Sequence, residues 1–268
     1  MIKDITLGQY FPIDSPVHRI DPRFKIIFTI VYIILVFFAD SLLTYGLVAV
    51  FSLGVIYLSR IKLMVVLKSV KQLMFVILIT AMINIFFTNG SEVIWSYKFL
   101  KITTLGIKNA VNMALRLVFL VIGSSLLTYT TSPIMLTDGI ERLLKPFSKL
   151  GLPSHEIAMM MTIALRFIPT LLEETEKIMT AQKSRGADFE SGNIIKRAKA
   201  LIPVLIPLFI NSFKRADELA TAMECRCYRG GNGRTRLREL KITLVDYVAL
   251  GVMIIFGALL ILFSVISL

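Results

Sequence analysis

The stretch Phe24-Lys-Ile-Ile-Phe-Thr-Ile-Val-Tyr-Ile-Ile-Leu-Val-Phe-Phe-Ala39, then Asp40-Ser41, then Leu42-Leu-Thr-Tyr-Gly-Leu-Val-Ala-Val-Phe-Ser-Leu-Gly-Val-Ile-Tyr-Leu58, decides the fold class. Two nearly charge-free runs flank a two-residue polar turn. Crossing about 30 Å of hydrocarbon takes roughly 20 mostly apolar helical residues, so the pair reads as a helical hairpin within a membrane. Three further runs have the same character. Leu73–Phe87 is extended inward by the amphipathic stretch Ile61–Gln72, Leu105–Thr130 carries Lys108 and Arg116, and Leu244–Leu268 has one acid, Asp246, at its start. The expectation is an all-α, polytopic helical membrane protein with about five transmembrane helices.

Composition agrees. The chain is 56% hydrophobic and 18% charged, with mean hydropathy +0.75, against roughly 45–50% and about 25% for a soluble domain. The net charge of +12 could suit nucleic acid, but in a membrane protein it is expected from the positive-inside bias, and no nucleic-acid partner is expected. The opening Met1-Ile-Lys-Asp-Ile-Thr-Leu-Gly is polar and mixed, unlike a cleavable signal, so the first apolar run is expected to serve as the insertion signal.

Charge placement orients the chain. The arm before Ile26 holds Lys3, Arg19, Arg23 and Lys25; the second loop holds Arg60, Lys62, Lys68 and Lys71; residues 132–241 hold eighteen Lys and Arg; the opposite side has only Lys98 and Lys101. Positive-inside counting predicts a multi-pass cell-membrane protein with a cytoplasmic N-terminus and an extracellular C-terminus. The expected parts are 1–131 with four spans, 132–241 as a cytoplasmic segment, and 242–268 as the last span.

Residues 132–241 are too apolar for an ordinary soluble loop and too interrupted for simple spans. Ser132-Pro133 opens a helix as an N-cap followed by an N1 proline. Its stripe of Ile134, Ile140, Leu143, Leu144, Phe147 and Leu150, with Lys145 and Lys149 near the far end, predicts an interfacial amphipathic helix ended by Gly151-Leu-Pro153. A second helix is predicted from a Ser154 cap to about Lys183, apolar at first and amphipathic after Pro169. A third starts near Ile194, carries Pro203 and Pro207, and turns amphipathic after Asn211. All three prolines are expected to bend their helices. The two long helices share one plan and one ending, an arginine between small residues: Ser184-Arg185-Gly186 and Cys225-Arg226-Cys227. An arginine at a helix C-terminus compensates the dipole, and two parallel occurrences also suit docking, since a guanidinium makes bidentate bonds to a partner's carboxylate or carbonyl groups.

Catalytic patterns are missing. There is no phosphate-binding G-x-x-x-x-G-K-[ST], H-E-x-x-H or G-x-S-x-G. Gly230-Gly-Asn-Gly233 reads as a loop cap after a helix, and Glu173, Glu174 and Glu176 as a solvated face. Cys225 and Cys227, with His18 and His155 as the only histidines, do not make a four-ligand metal site, so neither metal nor cofactor is expected. Arg116 reads as an intrabundle pair or a snorkelling side chain, or otherwise as a pathway or partner contact.

Taken in order, several local patterns resemble the transmembrane T component of energy-coupling factor (ECF) vitamin and metal importers. They are His18-Arg-Ile-Asp-Pro-Arg-Phe-Lys25, Thr131-Ser-Pro133, Gly139-Ile-Glu-Arg-Leu-Leu144, Leu150-Gly-Leu-Pro153, Ala164-Leu-Arg-Phe-Ile-Pro169, Ala181-Gln-Lys-Ser-Arg-Gly186 and Ala222-Met-Glu-Cys-Arg-Cys227. The resemblance implies a non-catalytic subunit that couples ATP hydrolysis in two ABC-type ATPase subunits to substrate release from a membrane-embedded S component. It implies that Arg185 and Arg226, each with its two neighbours, dock in grooves of the ATPases. The family's usual triplet is close to Ala-Arg-Gly, and this chain departs from it at Ser184, Cys225 and Cys227. The resemblance also implies that apolar faces of the two helices hold the S component, with Met160, Ala164, Leu172, Leu205, Phe209 and Phe213 as candidates. The rival readings are a self-contained secondary transporter or channel, which would show polar or broken spans at mid-membrane, and an intramembrane enzyme, which needs paired catalytic residues.

Overall fold

The computed structural model describes residues 9–88, 93–97, 100–151, 153–189, 191–230 and 242–266. The expected loop cap at Gly231–Gly233 and the basic residues Lys3, Lys98, Arg234, Arg236, Arg238 and Lys241 lie outside them, as do Leu152 and the side chains of Lys149 and Leu150. The chain forms two compact units, one built on Gly8–Gly139 with Glu239–Leu268 and the other on Ile140–Arg238.

The first unit is a bundle. A short turn, α1 (Pro16–Arg19), leads into α2 (Pro22–Phe37) and α3 (Leu42–Ser59). The predicted hairpin turn is present: Ser41 and Thr44 form a reciprocal capping box at the start of α3. At 16 residues, α2 is about 24 Å long, the shorter helix of the hairpin, and the expected first span falls short of the length at which the chain's other apolar helices could cross a membrane. The third run is two helices rather than one, α4 (Leu63–Gln72) and α5 (Met74–Phe87), bent by 56° at Leu73. The bend falls where the amphipathic stretch gives way to the wholly apolar run. Two short antiparallel strands, β1 (Val93–Tyr97) and β2 (Leu100–Thr103), were not foreseen from the sequence. They precede α6 (Thr104–Thr130), whose N-cap Thr103 accepts from Gly106 N. Ser132 caps α7 (Pro133–Leu144) as expected, accepting from Met135 N at 3.3 Å. The last helix is α10 (Leu244–Ile266).

The second unit continues α7 into a 3-10 turn, Lys145–Leu150, closed by Gly151 at φ 88°. It then holds α8 (Ser154–Ser184) and α9 (Ile194–Cys225). Ser154 is not the cap of α8: Pro153 occupies that position, with no side-chain cap, and Ser154 is the buried first helical residue. Both long helices run unbroken through Pro169, Pro203 and Pro207. By length and composition α3, α6, α8 and α10 could each cross a membrane, and the bent α4–α5 pair could make a fifth crossing.

The bundle core is small and aromatic. Tyr32, Phe51 and Phe256 stack with centroids 4.0–6.3 Å apart, joining α2, α3 and α10. The Tyr32 hydroxyl donates to Phe119 O and lies 2.9 Å from Ser52 Oγ, so its polar tip is satisfied. Gly123 of α6 lets this ring lie close, since a Cβ there would stand 2.4 Å from it.

Buried charge fixes one end of the bundle. Asp246, fully buried, accepts through Oδ2 from Thr243 N and Thr243 Oγ1 and through Oδ1 from Asp21 N at 2.7 Å. Asp21 is itself the N-cap of α2 and takes Arg23 N, Nε and Nη2 on its carboxylate. One carboxylate therefore caps the last span and anchors the first. Lys25 Nζ donates to His18 O and Thr130 O, adding the end of α6. At the other end Arg116 donates to Phe37 O and Ala39 O, pairs with Asp40 at 3.0 Å and lies over the Phe37 ring. It is an intrabundle clasp on the α2–α3 turn.

Asp246→Ala should destabilise the bundle by about 2–3 kcal/mol, since it removes a cap and leaves the buried Asp21 N–H unpaired; thermal unfolding in detergent measures this, with Asp246→Asn falling between. His18 gives a pH signature. Its Nε2–H donates to Phe11 O at 3.0 Å and its Nδ1 lies 2.7 Å from Ser15 Oγ. Burial first, and the charge of Lys25 second, holds the imidazole below its usual pKa. Its stabilising contribution is therefore complete above the ordinary histidine value and is lost as pH falls through the lowered one. Unfolding midpoints should drop between pH 7 and 5 in the wild type, and less in His18→Phe.

Candidate functional site: the paired helix ends

The helices α8 and α9 run antiparallel, as three sets of contacts in reverse chain order show. Arg197 Nε donates to Phe189 O at the connecting loop, Glu174 meets Asn211 and Arg215 at mid-length, and Tyr228 reaches back to His155 and Met159. Few apolar side chains are covered in the pair, Ala158 and Val204 among them. Met160, Leu205, Phe209 and Phe213 are exposed at 48–73%, Ala164 is exposed, and Leu172 is half-buried. The predicted apolar faces are thus uncovered within the unit.

The two arginine ends are the same structure built twice. Arg185 is the C-cap of α8, Gly186 N donates to Lys183 O (3.0 Å), and Ala187 N donates to Gln182 O (2.9 Å). At the end of α9, Cys227 N donates to Glu224 O (2.8 Å) and Tyr228 N to Met223 O (3.0 Å), which puts Arg226 in the same position. This is the paired 5→2 and 6→1 closure that ends a helix by turning one residue left-handed. Gly186 takes that turn at φ 86° and Cys227 at φ 56°. The small residue after each arginine therefore has a backbone reason: it must adopt a conformation that costs most side chains about 1 kcal/mol or more. Glycine adopts it freely, whereas Cys227 carries strain.

Both arginines are exposed, as are Ser184, Cys225 and Cys227. Each projects from a helix end where backbone N–H groups take the carbonyls of Gln182 and Lys183, or of Met223 and Glu224, so the guanidinium is not needed to cap them. At 31 residues, α8 is about 46 Å along its axis. Because α9 runs back along it, Arg185 and Arg226 sit at opposite ends of the pair.

Two polar contacts hold this geometry, and neither was read from the sequence. Glu174, expected on a solvated face, turns inward, with its side chain 17% exposed. It accepts from Asn211 Nδ2 and pairs with Arg215 at 3.1 Å, so one carboxylate grips two residues a turn apart on α9. Near the Arg226 end, His155 Nδ1 lies 3.3 Å from Glu141 of α7, and Tyr228 bridges His155 Nε2 (3.4 Å) and Met159 Sδ (3.0 Å). The acid run looked solvated because Glu173 and Glu176 set its pattern; only the fold of α9 against α8 distinguishes Glu174. Among the described residues no cluster of three or more His, Cys, Asp or Glu could hold a metal ion, and Cys225 and Cys227 are free thiols.

Comparison with known proteins gives the same family throughout. The family described as "Cobalt transport protein" (CbiQ) matches residues 14–237. The chain is 58% identical over 250 residues to the energy-coupling factor transporter transmembrane protein EcfT of Clostridium kluyveri, covering 93% of each chain. It is 59% identical over 240 residues to that of Acidaminococcus fermentans, covering 90% of this chain and 89% of the relative. It is 45% identical over 260 residues to that of Bacillus subtilis, covering 97% and 98%.

Cys227→Gly should stabilise the end of α9 by up to about 1 kcal/mol, and Gly186→Ala should weaken the end of α8 by a similar amount. A Cβ at Gly186 meets nothing within 4 Å, so that cost is backbone strain alone; amide exchange at residues 186–187 and 227–228 reads both. A double-mutant cycle on Glu174→Ala and Arg215→Ala should return a coupling of about 1 kcal/mol.

Proposed function

The chain belongs to the CbiQ family as a transmembrane component of an energy-coupling factor transporter, and we propose that it links two ABC-type ATPase subunits to a substrate-capturing S component during vitamin or metal uptake. The observation that carries this reading is the duplicated helix end. Arg185 and Arg226 share one backbone geometry, both are exposed, and they stand at opposite ends of one helix pair. Two equivalent cationic plugs at opposite ends suit two related receptors, each offering a groove with carboxylate or carbonyl acceptors.

In this reading Ser184, Gly186, Cys225 and Cys227 are small so that the backbone can enter the groove beside each arginine. The membrane orientation follows charge placement: cytoplasmic N-terminus, cytoplasmic 132–241, extracellular C-terminus. The apolar faces carrying Met160, Ala164, Leu172, Leu205, Phe209 and Phe213 receive the S component. When ATP closes the ATPases, the arginine ends shift with them. Pro169, Pro203 and Pro207 soften their helices where each removes an i→i−4 bond, so the shift becomes a rearrangement of the S-component surface. ATP chemistry belongs to the partners, and the transported substrate is held by the S component.

A self-contained transporter would place polar or unwound segments at mid-membrane. Here α2, α3 and α10 are continuous and apolar, and the bend at Leu73 lies where an amphipathic helix ends.

Replacing Arg185 and Arg226 together by glutamate should abolish co-purification of the ATPases and ATP-dependent uptake, while each single replacement weakens assembly in part. Uptake unchanged in the double variant would sink the docking reading.

A further inference from the structure

Below the Tyr32–Phe51–Phe256 stack the bundle does not close. Between α2, α3, α6 and α10, with α1 across its mouth, lies an open-sided slot of about 250 Å³. Its walls run from Val245 to Met253 on α10, a depth of roughly 12 Å at 1.5 Å per residue, against about half of the ~30 Å hydrocarbon core for one leaflet. The blind end is aromatic, closed by the Tyr32 ring packed directly on Gly123. Along its length the lining is apolar, apart from Thr29, Ser52 and Thr130, whose hydroxyls donate to backbone carbonyls within their own helices. Among the described residues the one charged lining residue is Lys25, at the mouth and buried, and its hydrogen bonds go to the carbonyls of His18 and Thr130 rather than to a carboxylate.

We propose that this slot is a lipid site, taking one acyl chain of an anionic glycerophospholipid with the headgroup at the Lys25 end. Three observations commit the occupant. Three of the slot's walls, α3, α6 and α10, are long and apolar enough to cross a membrane, and Val248 and Val252 of the α10 wall are more than half exposed, so the medium at its open side is hydrocarbon chains. An apolar void left empty forfeits its dispersion contacts, and a chain restores them, whereas water finds few unspent polar partners in the walls. The polarity is graded, with a buried ammonium at the mouth and rings at the blind end, which matches a lipid lying head-outward. The ammonium keeps a third N–H beyond the two given to carbonyls, while Arg19 and Arg23 of the same arm are already paired with Asp14 and Asp21, which leaves Lys25 as the cation available to a headgroup. The bound chain would fill the space between α3 and α10 on the side away from the aromatic stack and fasten the last span to the first.

The test uses the full chain in nanodiscs, with phosphatidylglycerol carrying a diazirine at one chain end, or phosphatidylcholine carrying the same chain. Phosphatidylglycerol should label Tyr32, Phe51 or Met253 on irradiation. Val252→Trp, which puts an indole into the open wall at an exposed position, should cut that labelling about tenfold, the factor equal to 1.4 kcal/mol of occupancy. Labels confined to outward residues such as Ile30, Ile34 and Ile254 would overturn the proposal, as would labelling indifferent to Val252→Trp. Equal labelling by phosphatidylcholine would overturn the anionic headgroup.

Discussion

A helix end leaves four backbone groups without partners, and most of the side chains that matter in this chain sit at helix ends to deal with them. In a membrane the requirement tightens, because hydrocarbon offers no water to substitute. Asp246 meets it for two helices at once, holding the start of α10 and the cap residue of α2 with one buried carboxylate. Lys25 and Arg116 do the same for the carbonyls at the end of α6 and at the α2–α3 turn. The bundle is held at its ends by charge and at its middle by a few aromatic rings.

The same requirement shapes the candidate docking ends. Because the last carbonyls of α8 and α9 are satisfied by the backbone of Gly186 and Ala187, or of Cys227 and Tyr228, the arginines are left free to act outward. A small residue after each arginine is thus a condition of the turn as well as of close approach to a partner. Tyr228 extends the principle: two residues beyond Arg226 it fastens that end to His155 and Met159.

Much of this was legible in the residues. The apolar blocks marked the helices of the bundle, Asp40-Ser41 the hairpin, Ser132-Pro133 the start of α7, and the repeated small-Arg-small triplets the ends of α8 and α9. What escaped depends on residues distant in sequence. Asp246 looked like a single acid at the start of a helix, and only its meeting with Asp21, 225 residues away, makes it a double cap. Glu174 could not be told from Glu173 and Glu176 until α9 lay against it. Ser154 looked like a cap because serine favours that position, yet Pro153 takes the position before the helix and Ser154 is buried as its first residue. The strands before α6 are short, and Val93–Tyr97 carries no periodicity beyond that of a loop. The break at Leu73 has no proline or glycine to announce it.

The central claim is that Arg185 and Arg226 are two equivalent plugs for two separate ATPase subunits. The most direct measurement places a photocrosslinking amino acid at Ser184 in one variant and at Cys225 in another, in membranes containing the assembled transporter. Each position should crosslink to an ATPase subunit, the two should capture different copies, and both crosslinks should change in yield when ATP is added. Crosslinks from both positions to lipid or to the S component alone would contradict the account.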